Sequence, residues 1–437
     1  MIMRRATTAL ALGLAAFTAA CDLELVDPNF PSAEVTLNDP SGVKSLGIGL
    51  QAEYSNQLGW VITSAGLVSD EIGAGTAAFQ NYKDADAGDP LDPATGLSSD
   101  PWSGMYRVIT LSNELLGAIP NVEFQAGTAS GLEALALFYQ GVAFGNLAML
   151  YQQLPIETGL DNPEPEFVTR DQALAHALDL LNQARETLLA TPASEEFNAD
   201  VVAEGFDLEN SIEAMIARFA LIAGDLAQAE TAAGRVDANA TSVFGFSTND
   251  GNPIFNITYE SGNAWQMRPE QAFRLEAESG DQRVNFWVVA ADVPGYVAPM
   301  DSLASYNPTA NPPIPVYTYD EIRLILAEVA ARNGQLLTAI DLINDVRTQC
   351  PAEGTEPEEP MPCLGPITII THPTQQAVLD EIFQQRRYEL FLLGLHYEDQ
   401  RRFGEPLKYE WIPLPTSECQ RNPNAPTGSV SLCEGEG

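Results

Sequence analysis

Three histidines, at positions 176, 372 and 396, are all the imidazole this 437-residue chain offers for acid–base work or metal binding. His176 sits in an amphipathic helical run, His372 precedes Pro373, and His396 lies in a charged stretch. None stands in the HExxH spacing of a helical zinc site, and no GxSxG turn presents a nucleophile. The stretch GAGTAA (Gly73 to Ala78) has the spacing of a dinucleotide-binding turn, but no apolar strand leads into it. Adjacent carboxylates such as Asp70 and Glu71 are expected by chance among 60 acidic residues, so they identify no glycosidase pair. DADAGDPLD (Asp84 to Asp92) is acidic enough for calcium, yet lacks the EF-hand pattern and reads as a solvated loop. Arg386, Arg387, Glu389, Asp399, Arg401 and Arg402 alternate with large apolar residues, the pattern of Arg–carboxylate pairs that fix helix to helix. No catalytic residue, metal ligand or cofactor is assigned.

What remains is the chemistry of binding. Two irregular stretches, Gly73 to Pro101 and Ala240 to Val316, are rich in Gly, Pro, Asn and Asp and also carry large aromatics. Loops of this length inside a compact domain are usually functional, and their aromatics argue for order. Phe79 and Tyr82 stand in the first; Trp265, Trp287 and Tyr296 stand in the second. Asn263, Gln266, Arg268 and Asn285 lie close to them in sequence. Flat aromatics with a few polar groups are the general composition of a small-ligand site. The competing reading is that Trp265 and Trp287 anchor long loops to the core.

The elements that must hold these loops are helices. Helical patterning begins near Pro40 and recurs around Trp102 to Ile119 and Gly131 to Tyr151, the latter apolar on nearly every face and therefore buried. Thr169 to Gln172 reads as a capping box opening another helix. Helix–turn–helix units are expected at about 209–236 and 318–349, where GDLAQA and GQLLTA share Gly-x-Leu-x-x-Ala. This predicts a mostly α fold, a tetratricopeptide-like scaffold of helix pairs over about 40–236 and 317–437. A loop-rich insertion at about 240–316 belongs to the same single domain, 40–437.

With 21 basic and 60 acidic residues the formal charge is −39, which excludes a nucleic-acid partner. Four of the five cysteines fall late, at 350, 363, 419 and 433. Local disulfides Cys350–Cys363 and Cys419–Cys433 are the simplest of three connectivities in an oxidising compartment.

The fifth cysteine, Cys21, follows a basic start (Arg4, Arg5), an apolar run from Ala9 and the small pair Ala19–Ala20. This resembles a bacterial lipobox, which implies a signal peptide over 1–20, lipid attachment at Cys21 and an acidic, Pro-rich tether over 21–39. The remaining blocks resemble, in order, the SusD/RagB family of outer-membrane nutrient-binding lipoproteins. They are LELVDPNFPS after the cysteine, VSDE (Val68 to Glu71), PWSGMYRVITLSNELL, YDEIRLILAEVAARNGQ with AIDLINDVR, VLDEIFQQRRYELFLLGLHYEDQRRFG, and YEWIPLPTSECQRNPN. Gln385 departs from the family's usual Glu.

The resemblance implies a non-enzymatic protein that captures a nutrient, an oligosaccharide above all, and delivers it to a SusC-like TonB-dependent transporter. It also implies lipid anchoring to the outer membrane, facing the cell exterior. For a sugar, Phe79, Tyr82, Trp265, Trp287 and Tyr296 would stack on the ring, with Asn263 and Arg268 meeting its hydroxyls. A surface hydrolase of glycans or peptides on the same scaffold is the alternative.

Overall fold

Asp39 opens the first long helix: its carboxylate accepts the Gly42 N–H at 3.1 Å, and Pro40 fills the first helical position, where no N–H is needed. The computed structural model describes residues 37–159, 162–247, 251–256, 267–305, 311–352, 354–355, 359–429 and 431–433. Cys21 and its signal lie outside these, as do Asn263, Trp265 and Gln266.

The longer helices form the scaffold: α1 (Pro40–Val68), α2 (Gln80–Ala87), α3 (Gly96–Ala118), α4 (Ala126–Leu150) and α5 (Arg170–Ala190) come first. They are followed by α6 (Leu208–Ala223), α7 (Leu226–Ala233), α8 (Tyr319–Arg332), α9 (Leu336–Arg347), α10 (Gln375–Glu389) and α11 (His396–Phe403). Helix α4, apolar all round, is buried between α3 and α5, with α1 packed on both α3 and α4. Helices α6 and α7 pair, as do α8 and α9, and α7 lies against α8. Gly224 and Gly334 close the first member of each pair with φ of 81° and 77°, a left-handed turn that glycine adopts without steric cost. Thr169 caps α5, with Gln172 reaching back to its backbone N–H at 3.0 Å.

Helix α3 starts at Gly96, earlier than the apolar pattern indicated, because Pro101 is accommodated within its early turns. The stretch Gly73 to Pro101 is consequently less irregular than expected; α2 also lies inside it.

Strands are short and paired antiparallel into two-stranded ribbons. They are β1 (Ile72–Ala74), β2 (Gln153–Pro155), β3 (Phe167–Thr169), β4 (Ser242–Phe244), β5 (Met267–Pro269), β6 (Val288–Val293), β7 (Met300–Leu303) and β8 (Ile314–Tyr317). The pairs are β1–β5, β2–β3, β4–β8 and β6–β7. β1–β5 joins the two stretches that the sequence marked as loops, with Ile72 opposite Pro269.

One large apolar core runs from Val43 in α1 to Leu414, and a smaller one joins α8, α9 and α10 through Ala327, Ile343, Val378 and Ile382. Among the described residues no helix is long and apolar enough to cross a membrane.

The arginine-rich motif lies beneath this packing. Asp399 on α11 accepts from Arg386 of α10 at 2.8 Å and from Arg402 at 2.5 Å. Arg402 also pairs with Glu328 of α8, which Arg332 holds at 2.7 Å. Burial pushes the Asp399 carboxyl up, but the two guanidiniums outweigh it and hold it below the usual range. The charges join three helices, as their sequence pattern indicated. His396 stacks on Phe383 at 5.4 Å, and burial lowers its pKa to about 4, so it is neutral at pH 7.

Candidate functional site

A cleft of about 1110 Å³ opens where the N-terminal end of α8 meets the C-terminal end of α9 and segment 238–243. Prolines at 312, 313 and 315 keep the approach to α8 extended, and β8 pairs with β4 to fix it. Thr318 then caps the helix, its hydroxyl accepting the Glu321 N–H at 3.0 Å. Tyr319 is thereby set at the helix start, half-buried on the cleft wall, with the Arg323 guanidinium 4.7 Å over its ring. Arg323 also donates to Asp320 at 2.5 Å, and Gln349 of the opposite wall donates to the same oxygen at 2.8 Å. Asp320, in the first turn of α8, is further favoured by the helix dipole.

The far wall is a loop closed by Cys350–Cys363. Cys363 N–H donates to Gln349 O at 2.7 Å, and Gln282 N–H donates to Pro362 O at 3.0 Å, tying this loop to both sides of the cleft. Half-buried Phe286 adds aromatic surface, and the buried Tyr317 borders the lining only by its edge. Glu389 reaches the lining from below; burial drives its carboxyl well above the ordinary range, Asp320 adds to this, and Arg283 at 3.4 Å opposes it. The arrangement offers aromatic faces beside polar groups, the general composition of a small-ligand site.

A second surface assembles from the two loop stretches themselves. Gly75 bridges Gly295, and Tyr296 N–H donates to Ala74 O at 2.7 Å. Phe79 and Tyr296 are 49% and 46% exposed, and the Lys83 ammonium lies 5.6 Å over the Tyr296 ring. Behind this face sit Asp70, Glu71, Asp86 and Glu270. Burial raises Glu71 to about 8, and burial with repulsion from Asp70 and Asp86 raises Glu270 to about 7.

The other sequence-nominated residues divide. Trp287 is 4% exposed, its indole N–H donating to Tyr388 O at 2.7 Å and its ring packed against Phe286 and Phe391. Tyr82 is 3% exposed on the inner face of α2. Both were expected to stack on a ligand, and both are instead core side chains, since each completes the packing beneath its own short helix; only the edge of Trp287 borders the cleft. Arg268 is half-buried and donates to Ser302 Oγ at 3.0 Å, and Asn285 is exposed. The cysteines pair as Cys350–Cys363 and Cys419–Cys433. The cleft residues Tyr319, Arg323 and Gln349 were read as scaffold; the Pro-rich run ending in an aromatic, acidic helix start was the signal pointing to them.

The sequence pattern of the SusD family matches residues 296–421. Among solved structures, a SusD superfamily protein from Bacteroides thetaiotaomicron VPI-5482 is similar at 17% identity, covering 90% of this chain and 97% of that one, with a TM-score of 0.67. A SusD-like carbohydrate binding protein from Bacteroides vulgatus ATCC 8482 shares 18% identity over 84% of each chain, TM-score 0.66. A SusD superfamily protein from Bacteroides fragilis shares 17%, covering 88% of this chain and 98% of that one, TM-score 0.66. No curated protein matches the sequence. The SusD family pattern over residues 296–421 and the SusD-like fold over most of the length agree with each other.

Proposed function

We propose that this protein is a non-catalytic, lipid-anchored binding protein of the outer membrane that captures an oligosaccharide and passes it to a SusC-like TonB-dependent transporter. The observation that carries the reading is the cleft, in which Tyr319 and Phe286 stand beside Asp320, Arg323 and Gln349. Sugar rings stack their C–H faces on flat aromatics while their hydroxyls meet paired carboxylate, guanidinium and amide groups. One structural relative is described as a carbohydrate binding protein, which favours this ligand class.

Calorimetric titration against a panel of oligosaccharides and peptides, with product analysis of each mixture, tests the binding. A glycan should bind without turnover. Tyr319→Ala should weaken it at least tenfold, about 1.4 kcal/mol, with the melting temperature unchanged. Turnover of any panel member would establish the hydrolase instead. Loss of binding in Phe79→Ala and Tyr296→Ala, with Tyr319→Ala unaffected, would move the site to the loop face.

The anchor has its own test. Cys21→Ala should shift the protein from the outer-membrane fraction to a soluble one, and the wild type should bring down a much larger barrel receptor from mildly solubilised membranes. A Cys21→Ala protein that stays with the outer membrane overturns the lipid attachment.

A further inference from the structure

Asp70 follows the C-terminal end of α1, Asp86 sits in the last turn of α2, and Glu270 directly follows β5. The β1–β5 pairing brings these distant segments together, and one carboxylate oxygen from each lies within 4.8 Å of the other two. A cluster of acids alone says little on so acidic a surface. Here the middle member is different: Asp86 is only 5% exposed. Its carboxylate is met by the Ala74 N–H at 3.1 Å from Oδ2 and by the Val297 backbone, and it shares a hydrogen bond with Glu270, yet its buried Oδ1 has no donor at full hydrogen-bond geometry. A buried carboxylate oxygen without a donor is costly unless something positive meets it.

That oxygen packs closely over a glycine. A Cβ on Gly73 would stand 3.4 Å from Asp86 Oδ1 and 3.2 Å from Glu270 Oε1, so both oxygens converge over a residue without a side chain. Two neighbouring charged groups border the cluster. Lys408 pairs with Asp70 and donates to the carbonyls of Leu67 at 3.3 Å and Asp86 at 3.0 Å. Glu71 accepts the Leu392 N–H at 3.1 Å. Asp70, Asp86 and Glu270 face one ammonium, and with Glu270 raised to about 7 a divalent cation would displace its proton to take up the excess negative charge.

We propose that Asp70, Asp86 and Glu270 bind a divalent cation, calcium being the ion their chemistry selects. All three donors are hard oxygens with no thiolate or imidazole, which disfavours zinc and copper. Calcium accepts irregular oxygen shells completed by water, and exposed Asp70 leaves a side open to it. The ion would clamp the end of α1, α2 and the β1–β5 ribbon beneath the face carrying Phe79 and Tyr296. The stretch DADAGDPLD, read from sequence as a solvated loop, thus contributes one inward-turned ligand.

The test uses the full protein stripped with EGTA. Titration with calcium chloride should saturate at one equivalent and raise the melting temperature by a few degrees. Glu270→Gln and Asp86→Asn each remove a repelling charge, so they should melt at or above the stripped wild type and show no calcium response. Glu270→Asp, with the charge kept and the oxygen withdrawn, should retain the fold and bind calcium more weakly. A wild type that shows neither saturable heat nor a melting shift in millimolar calcium overturns the site. So does a response of undiminished size in both Glu270→Gln and Asp86→Asn, which would place the ion elsewhere on the acidic surface.

Discussion

Asp399→Ala should cost about 3–5 kcal/mol, among the largest losses any single substitution in this protein will give. Asp399 is the shared acceptor of two buried guanidiniums, Arg386 at 2.8 Å and Arg402 at 2.5 Å. Arg402 keeps Glu328 when Asp399 is removed, but Arg386 loses the partner of its Nε while enclosed in the α10–α11 contact. The cost is therefore that of a stranded charge, far above the worth of an exposed ion pair. Urea denaturation at pH 7 measures it. A loss below about 1 kcal/mol would mean that water reaches Arg386 and that the network is peripheral. The paired change Arg386→Met with Asp399→Leu removes the stranded charge along with its partner, and should recover most of the loss.

The second large effect belongs to the disulfide on the cleft wall. Cys350→Ser with Cys363→Ser opens a loop with a sequence separation of 13, and should lower stability by about 3 kcal/mol by releasing the unfolded chain. The second disulfide, Cys419–Cys433, has a separation of 14, so its removal should cost a similar amount. The two differ in what they hold. Pro351, Ala352, Thr355, Glu359 and Met361 of the first loop line the cleft, whereas the second disulfide contributes nothing to its lining. Glycan affinity should therefore fall in the first double variant and hold in the second, each compared well below its melting temperature. Equal affinities in the two would show that the loop closed by Cys350–Cys363 is no part of the binding surface.

Periodic and local features were legible in the sequence. The all-round apolar run that became α4, the Thr169 capping box and the Gly224 and Gly334 turns depend on residues within one or two helical turns of one another. The arginine-rich motif was readable as charges alternating with large apolar residues, although its partner Glu328 lies far back in the chain. Exposure inside the loops was not. Trp287 and Tyr296 stand nine positions apart in similar composition, yet one is buried by Tyr388 and Phe391, far along the chain, and the other faces solvent. The cleft was hidden likewise, because segments 238–243, 312–323 and 345–361 border it together only after folding. Tyr319 is marked only by the Pro-rich run before it, which does not tell a cleft aromatic from a packing one. The carboxylate cluster required the β1–β5 register, which short strands of three residues do not announce.

The contacts that close the back of α1 come from very late in the chain. Leu392 N–H donates to Glu71, Gln400 donates to Ser69 O, and Lys408 donates to Leu67 O, across sequence separations of 321, 331 and 341 residues. A ribosome delivers the α1 end of these contacts first, at roughly 5–20 residues per second, so that end waits tens of seconds for its partners. During that interval the end of α1 lacks these partners, although α1, α3 and α4 already have one another to pack against. Closures of such range form slowly compared with helices, because loop entropy is lost before the contact is gained.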